Sequence, residues 1–177
     1  MSPKARVATV WLDGCSGCHM SFLDIDERLL ALADRMELVY SPLVDAKTFP
    51  DDVDVTLVEG AVASTEDLHK IRRIRRQTKI LVSLGDCAVT SNVPGMRNPF
   101  GVQAVLARAY LENAQTHPAI PTAVIPPLLP QARPVHEYVK VDVFIPGCPP
   151  SADTIFAAVS ALLSGQTPDI ATRARFG

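Results

Sequence analysis

Four cysteines fall in three short glycine-bearing stretches of this chain: Gly14-Cys15-Ser16-Gly17-Cys18, Leu84-Gly85-Asp86-Cys87 and Pro146-Gly147-Cys148-Pro149-Pro150. They are its only cysteines, and each group follows a short apolar run. Four thiolates around one point make a metal site, and a site of sulfur alone points to electron transfer or to structural zinc. An iron–sulfur cubane takes one thiolate at each of its four iron corners. A Cys-x-x-Cys turn supplies two corners from one loop, and the other two come from wherever the fold delivers them. Gly14, Gly17, Gly85 and Gly147 let the backbone come close and aim N–H groups at sulfur. A cluster with four thiolates carries net negative charge, so such donors stabilise it and tune its potential. Pro149-Pro150 fixes the third loop and sets up the first turn of the next helix.

Three other readings stand beside this one. Structural zinc usually pairs two Cys-x-x-Cys knuckles, whereas this chain has one pair and two isolated cysteines. A thioredoxin-like dithiol would use Trp11 and the Cys15/Cys18 pair, but it leaves Cys87 and Cys148 without a role and sets three residues between the tryptophan and the first cysteine. Four unrelated buried cysteines would require three separate glycine-flanked loops to be coincidence.

The elements that must position these residues alternate between strand and helix. Arg6 to Leu12 suits a buried strand. A helix is expected from about Met20 to Arg35, with Phe22, Ile25, Leu29, Leu32 and Met36 on one side. Glu37 to Tyr40, Val53 to Glu59, Lys79 to Leu84 and Val141 to Ile145 read as strands two to five. Ser64-Thr65-Glu66-Asp67 starts a helix with cap chemistry and an apolar stripe of Leu68, Ile71 and Ile74. Ser151-Ala152-Asp153 begins a last helix through Leu163, ended by Ser164-Gly165. The pattern predicts an α/β fold, a doubly wound parallel sheet in flavodoxin-like order with the first strand central. Cys15, Cys87 and Cys148 then lie beyond the carboxyl ends of strands one, four and five, the edge where ligands collect.

Between strands four and five the alternation breaks. Gly101 to Asn113 predicts a helix with Val102, Val105, Leu106, Ala109 and Tyr110 on one side. Thr116 to Pro134 holds six prolines among apolar residues, which excludes regular helix and central strand. It is too apolar for a disordered tail, so a Pro-rich irregular arm lying on this domain or on a partner is expected.

The chain has 177 residues, enough for a single domain over 1–177 with its own core. Hydrophobic residues make up 47% and charged residues 20%, as in ordinary globular proteins. A net charge of −2 implies no general attraction to nucleic acid or anionic membrane. The apolar runs are too short for a membrane span. The N-terminal stretch leads into a strand rather than a signal peptide, so the expected compartment is the cytoplasm, where metal or redox chemistry is favoured over structural disulfides.

Together with Val58-Glu59-Gly60-Ala61-Val62, the cysteine motifs resemble, in order and over most of the chain, the small subunit of nickel–iron hydrogenases. More distantly they resemble the cluster-bearing small subunit of respiratory complex I. The resemblance implies that Cys15, Cys18, Cys87 and Cys148 hold a proximal 4Fe-4S cluster, on a domain packed against a hydrogenase large subunit that carries the nickel–iron centre. Complex I subunits generally show two adjacent cysteines at the first position, so the separated pair favours hydrogenase over a complex I-like quinone oxidoreductase subunit. Many relatives carry glutamate two positions after Cys18, where this chain has Met20, so no proton role is carried over to that position. With no spare cysteine, one cluster is expected. The string from Gly17 to Glu27 resembles the soluble, cytoplasmic NAD-reducing group, in which a diaphorase module with flavin (FMN), iron–sulfur clusters and an NAD site completes the complex. The role so implied is that of a non-catalytic relay of electrons from the nickel–iron site toward flavin and NAD. A zinc-stabilised interaction module remains the alternative from another class.

Glu59 ends strand three at the same edge. It could pass protons or hold a partner, or simply accept loop N–H bonds. His19 is expected at an interface or the surface, and His69, His117 and His136 at the surface. Lys70, Arg72, Arg73, Arg75 and Arg76 are expected to form a solvated helix face, and Trp11 to serve packing. A flavin in this chain would need the hydroxyl-rich first loop of flavodoxins, and here that loop carries cysteines.

Overall fold

The structure, a computed structural model, describes residues 3–174. Its core is a parallel sheet of five strands in the order β2-β1-β3-β5-β7. These are β1 (Ala5–Trp11), β2 (Met36–Tyr40), β3 (Val53–Glu59), β5 (Thr78–Leu84) and β7 (Val143–Ile145). The first strand is interior, but β3 holds the middle position. Alternate residues of each strand face opposite layers, as the pleat requires. Val7, Leu57, Val82, Leu84 and Ile145 pack under α1 (Gly17–Leu23), α2 (Arg28–Ala33) and α7 (Ala152–Leu163), meeting Phe22, Ile25, Leu32 and Ile155. Ala8, Val10, Val58 and Leu81 pack against Ile71 and Ile74 of α3 (Thr65–Arg76) and against Val135.

The helix signals of α3 and α7 are realised as chemistry. Ser64 Oγ accepts the Asp67 N–H, and the Asp67 carboxylate accepts the Ser64 N–H at 2.9 Å, a reciprocal capping box. Ser151 caps α7 through the Thr154 N–H. Arg75 and Lys70 depart from a solvated face. Arg75 clasps Asp142 and the Thr78 and Lys79 carbonyls, and Lys70 donates to Trp11 O.

The single helix expected over Met20 to Arg35 is two. Between α1 and α2, Asp26 takes a left-handed φ of 54°, which Asp tolerates and a continuous helix cannot contain. Ile25 is still fully buried and the neighbouring acids stay exposed. The expected helix over Gly101 to Asn113 is α6 (Val102–Ala107) running into a π turn at Arg108–Glu112. Its apolar side is at most half-buried, and Tyr110 is exposed.

Segment 113–127 is irregular, but the end of the proline-rich stretch is not. Leu128–Arg133 forms β6, antiparallel to the short β4 (Val62–Ser64), and this two-stranded ribbon leaves Pro130 on an edge. Two short helices, α4 (Asp86–Thr90) and α5 (Asn92–Gly95), follow β5. No helix among the described residues is long and apolar enough to cross a membrane.

Candidate metal centre

The three cysteine loops leave the carboxyl ends of β1, β5 and β7, and hydrogen bonds tie them together. Beyond β1, the Asp13 N–H donates to Ala61 O at 3.0 Å and the Ala61 N–H donates back at 2.7 Å, which zips the first loop to the turn after β3. That turn needs glycine: Gly60 has φ +89°, and a Cβ there would lie 2.7 Å from Asp13 O. Cys15 precedes α1 and is exposed, whereas Cys18 lies in its first turn and is buried.

Cys87 is buried in the first turn of α4, and Cys148 is exposed in the loop after β7. The Gly85 N–H donates to Ile145 O at 2.7 Å, and the Asp86 N–H to Gly147 O at 2.9 Å. Asp86 Oδ1 accepts the Gly147 N–H at 2.6 Å. Ser21 Oγ of α1 donates to Pro150 O, joining the first loop to the third. Asn92 Nδ2 points at Cys148 Sγ at 3.5 Å. At Gly85 a Cβ would sit 2.2 Å from Cys18 Sγ, so only a hydrogen there leaves the sulfur its space.

Thus Cys15, Cys18, Cys87 and Cys148 are brought to one edge, close enough to feel one another's charge. Burial pushes the Cys18 thiol far above its ordinary value, and Glu59, Cys87, Cys15 and Cys148 push it further. Burial likewise raises Cys87, opposed by a Val93 N–H and reinforced by Cys15, Cys148 and Glu59. Buried thiols raised in this way, Cys18 and Cys87, ionise together only when a cation shares their charge. With the sulfurs of Cys15 and Cys148 beside them, the donor set fits a metal group.

A single zinc ion held by four thiolates would set its sulfurs about 3.8 Å apart; a cubane, with its irons and sulfides between the corners, takes thiolates spread more widely.

Glu59 is buried at the end of β3 and accepts the His19 N–H at 3.0 Å. His19 is not at the surface as expected. It is 2% exposed, its Nδ1 bonds the same Glu59 oxygen, and Trp11 meets its ring edge-on. His69, His117 and His136 are exposed. Sequence reading missed the Glu59–His19 pair, the Asp86–Gly147 lock and the Asn92 contact. The position of Asp86 between Gly85 and Cys87 was the available signal for the second of these.

Residues 15–162 match the family of the NADH ubiquinone oxidoreductase 20 kDa subunit. The chain belongs to that family. Within the 20 kDa subunit family, it is 42% identical over 172 residues to the NAD-reducing hydrogenase HoxS subunit delta of Cupriavidus necator, covering 94% of this chain and 82% of that one. It is 38% identical over 170 residues to a hydrogenase subunit of Methanocaldococcus jannaschii, covering 95% of this chain but 59% of the longer archaeal protein. A chain in a crystal structure of NAD+-reducing NiFe hydrogenase in the H2-reduced state superposes with a TM-score of 0.94 at 40% identity, covering 99% of this chain and all of that one.

Proposed function

We propose that this chain is the electron-transfer small subunit of a cytoplasmic NAD-reducing nickel–iron hydrogenase, and that Cys15, Cys18, Cys87 and Cys148 ligate one 4Fe-4S cluster. The observation that carries this reading is the convergence of four cysteines from three mutually bonded loops, on a chain that matches its counterpart in such an enzyme from end to end. When bound, the cluster supplies one-electron storage and release. Every other task falls to the protein. Buried Cys18 and Cys87 anchor the inner side, exposed Cys15 and Cys148 the outer side. Gly85 leaves room for Cys18 Sγ, and Asp86 holds the second and third loops in register.

The chain does not cleave hydrogen alone. In the family, that site uses two Cys-x-x-Cys pairs on the large subunit, and the one pair present here belongs to the proposed cluster. Its partners are therefore the large subunit with the nickel–iron centre and diaphorase subunits with FMN, further clusters and an NAD site.

The test is anaerobic purification of the tagged chain with whatever it binds. A brown complex with about four irons assigned to this chain, a partner bearing two Cys-x-x-Cys motifs, and hydrogen-dependent NAD+ reduction are expected. A colourless chain with stoichiometric zinc would overturn the proposal, as would a disulfide-exchange activity that survives Cys87→Ser but not Cys15→Ser.

A further inference from the structure

Helix α1, which carries Cys18, lacks a side-chain cap of its own: Ser16, at a left-handed φ of 68°, supplies none. The cap comes from another strand. The His19 N–H, in the first turn, donates at 3.0 Å to Glu59 Oε2 at the end of β3, and His19 Nδ1 bonds the same oxygen. The two side chains are 2% and 3% exposed. On the other side of the loop, Glu59 Oε1 lies 3.6 Å from where a Gly14 Cβ would be. One buried carboxylate thus bonds the residue just after the cysteines and stands beside Gly14 just before them.

No Lys or Arg among the described residues pairs with Glu59. Its carboxylate stands beside Cys18 and Cys87, and its charge acts on both thiols.

We propose that Glu59 is a positioning residue for the cysteine centre: it caps the Cys18 helix from the neighbouring strand, and its fixed charge holds the centre's reduction potential down. This rests on the iron–sulfur reading above. A negative charge in a low-dielectric site disfavours the arrival of an electron, and groups bonded to ligand-bearing loops orient the ligands.

The experiment uses the complex isolated with its partner subunits and compares two variants. Glu59→Gln keeps an acceptor oxygen for the His19 N–H but removes the charge. It retains iron, and its midpoint potential, read by spectroscopic redox titration, moves upward. Glu59→Ala removes the cap and yields its iron to about 10–100-fold less chelator than the parent. An unmoved potential in Glu59→Gln, or undiminished iron retention in Glu59→Ala, overturns the proposal. A parent complex whose chain holds no iron instead overturns the iron–sulfur reading itself, so the two failures are distinguishable. If Glu59→Ala does not accumulate, the potential of Glu59→Gln still decides.

Discussion

Asp86 and Gly147 are bonded reciprocally: the Asp86 N–H donates to Gly147 O at 2.9 Å, and the Gly147 N–H donates to Asp86 Oδ1 at 2.6 Å. They lie next to Cys87 and Cys148 respectively, so one residue pair sets the spacing of two of the proposed ligands, separated by 61 positions. Asp86→Ala strands the Gly147 N–H in a buried place, at about 1–3 kcal/mol. The thermal midpoint falls and iron is lost, while Asp86→Asn, which keeps an acceptor, is milder in both. Calorimetry and iron assay of the two variants check this, and equal behaviour of Ala and Asn would remove the lock from the account.

Gly85 and Gly101 share a backbone conformation, φ 81° and ψ 162° against φ 78° and ψ 159°. Their surroundings differ: a Cβ at Gly85 collides with Cys18 Sγ, and one at Gly101 meets nothing within 4 Å. Both alanine variants bear the strain of that glycine-only region, about 1–3 kcal/mol. Only Gly85→Ala should also strip the metal centre. Denaturant unfolding with iron analysis separates strain from crowding, and Gly101→Ala losing iron to the same extent would contradict the expectation.

Asp142 joins the sheet's last strand to its neighbours. Its carboxylate accepts the Leu81 N–H at 2.9 Å and pairs with Arg75. Burial pushes this carboxyl up, but the Leu81 N–H and the Arg75 guanidinium outweigh burial and hold it below the usual carboxylate range. Its folded value therefore lies under the unfolded one, about 3.9. The stabilisation is complete above that pH and disappears as the pH falls through the folded value. Asp142→Asn should be less stable than the parent at pH 7, and the gap should close in acid. Urea midpoints on both sides of about pH 4 measure it; a gap independent of pH would show that the charge does not contribute.

At the start of α3, Ser64→Ala removes the acceptor for the Asp67 N–H. The expected cost is about 1 kcal/mol. The effect should stay local, with iron content unchanged, because α3 lies across the sheet from α1 and α7. A loss of iron in this variant would show that the layer behind the sheet also holds the centre in shape.

The strands were legible because a strand buried on both faces is rich in apolar, mostly β-branched residues, as Val53, Val55, Leu57 and Val58 are within Val53–Glu59. The caps at Ser64 and Ser151 were legible because they are local: donor and acceptor lie three residues apart. The break at Asp26 was not, since the stripe Phe22, Ile25, Leu29, Leu32 is equally compatible with one helix or two. Nor was β6, whose Leu128 and Arg133 acquire strand character only by pairing with Ser64 and Val62 far earlier in the chain.

By its residue types and order alone, the sequence determined that four thiols would stand after strand ends and that the strands would stack in parallel, because periodicity and turn chemistry act over a few residues. Only the tertiary structure decided which groups surround those thiols. Glu59 reaches His19 across 40 positions and Ser21 reaches Pro150 across 129. Such partners are chosen by where the sheet order delivers them, and no local pattern encodes that choice.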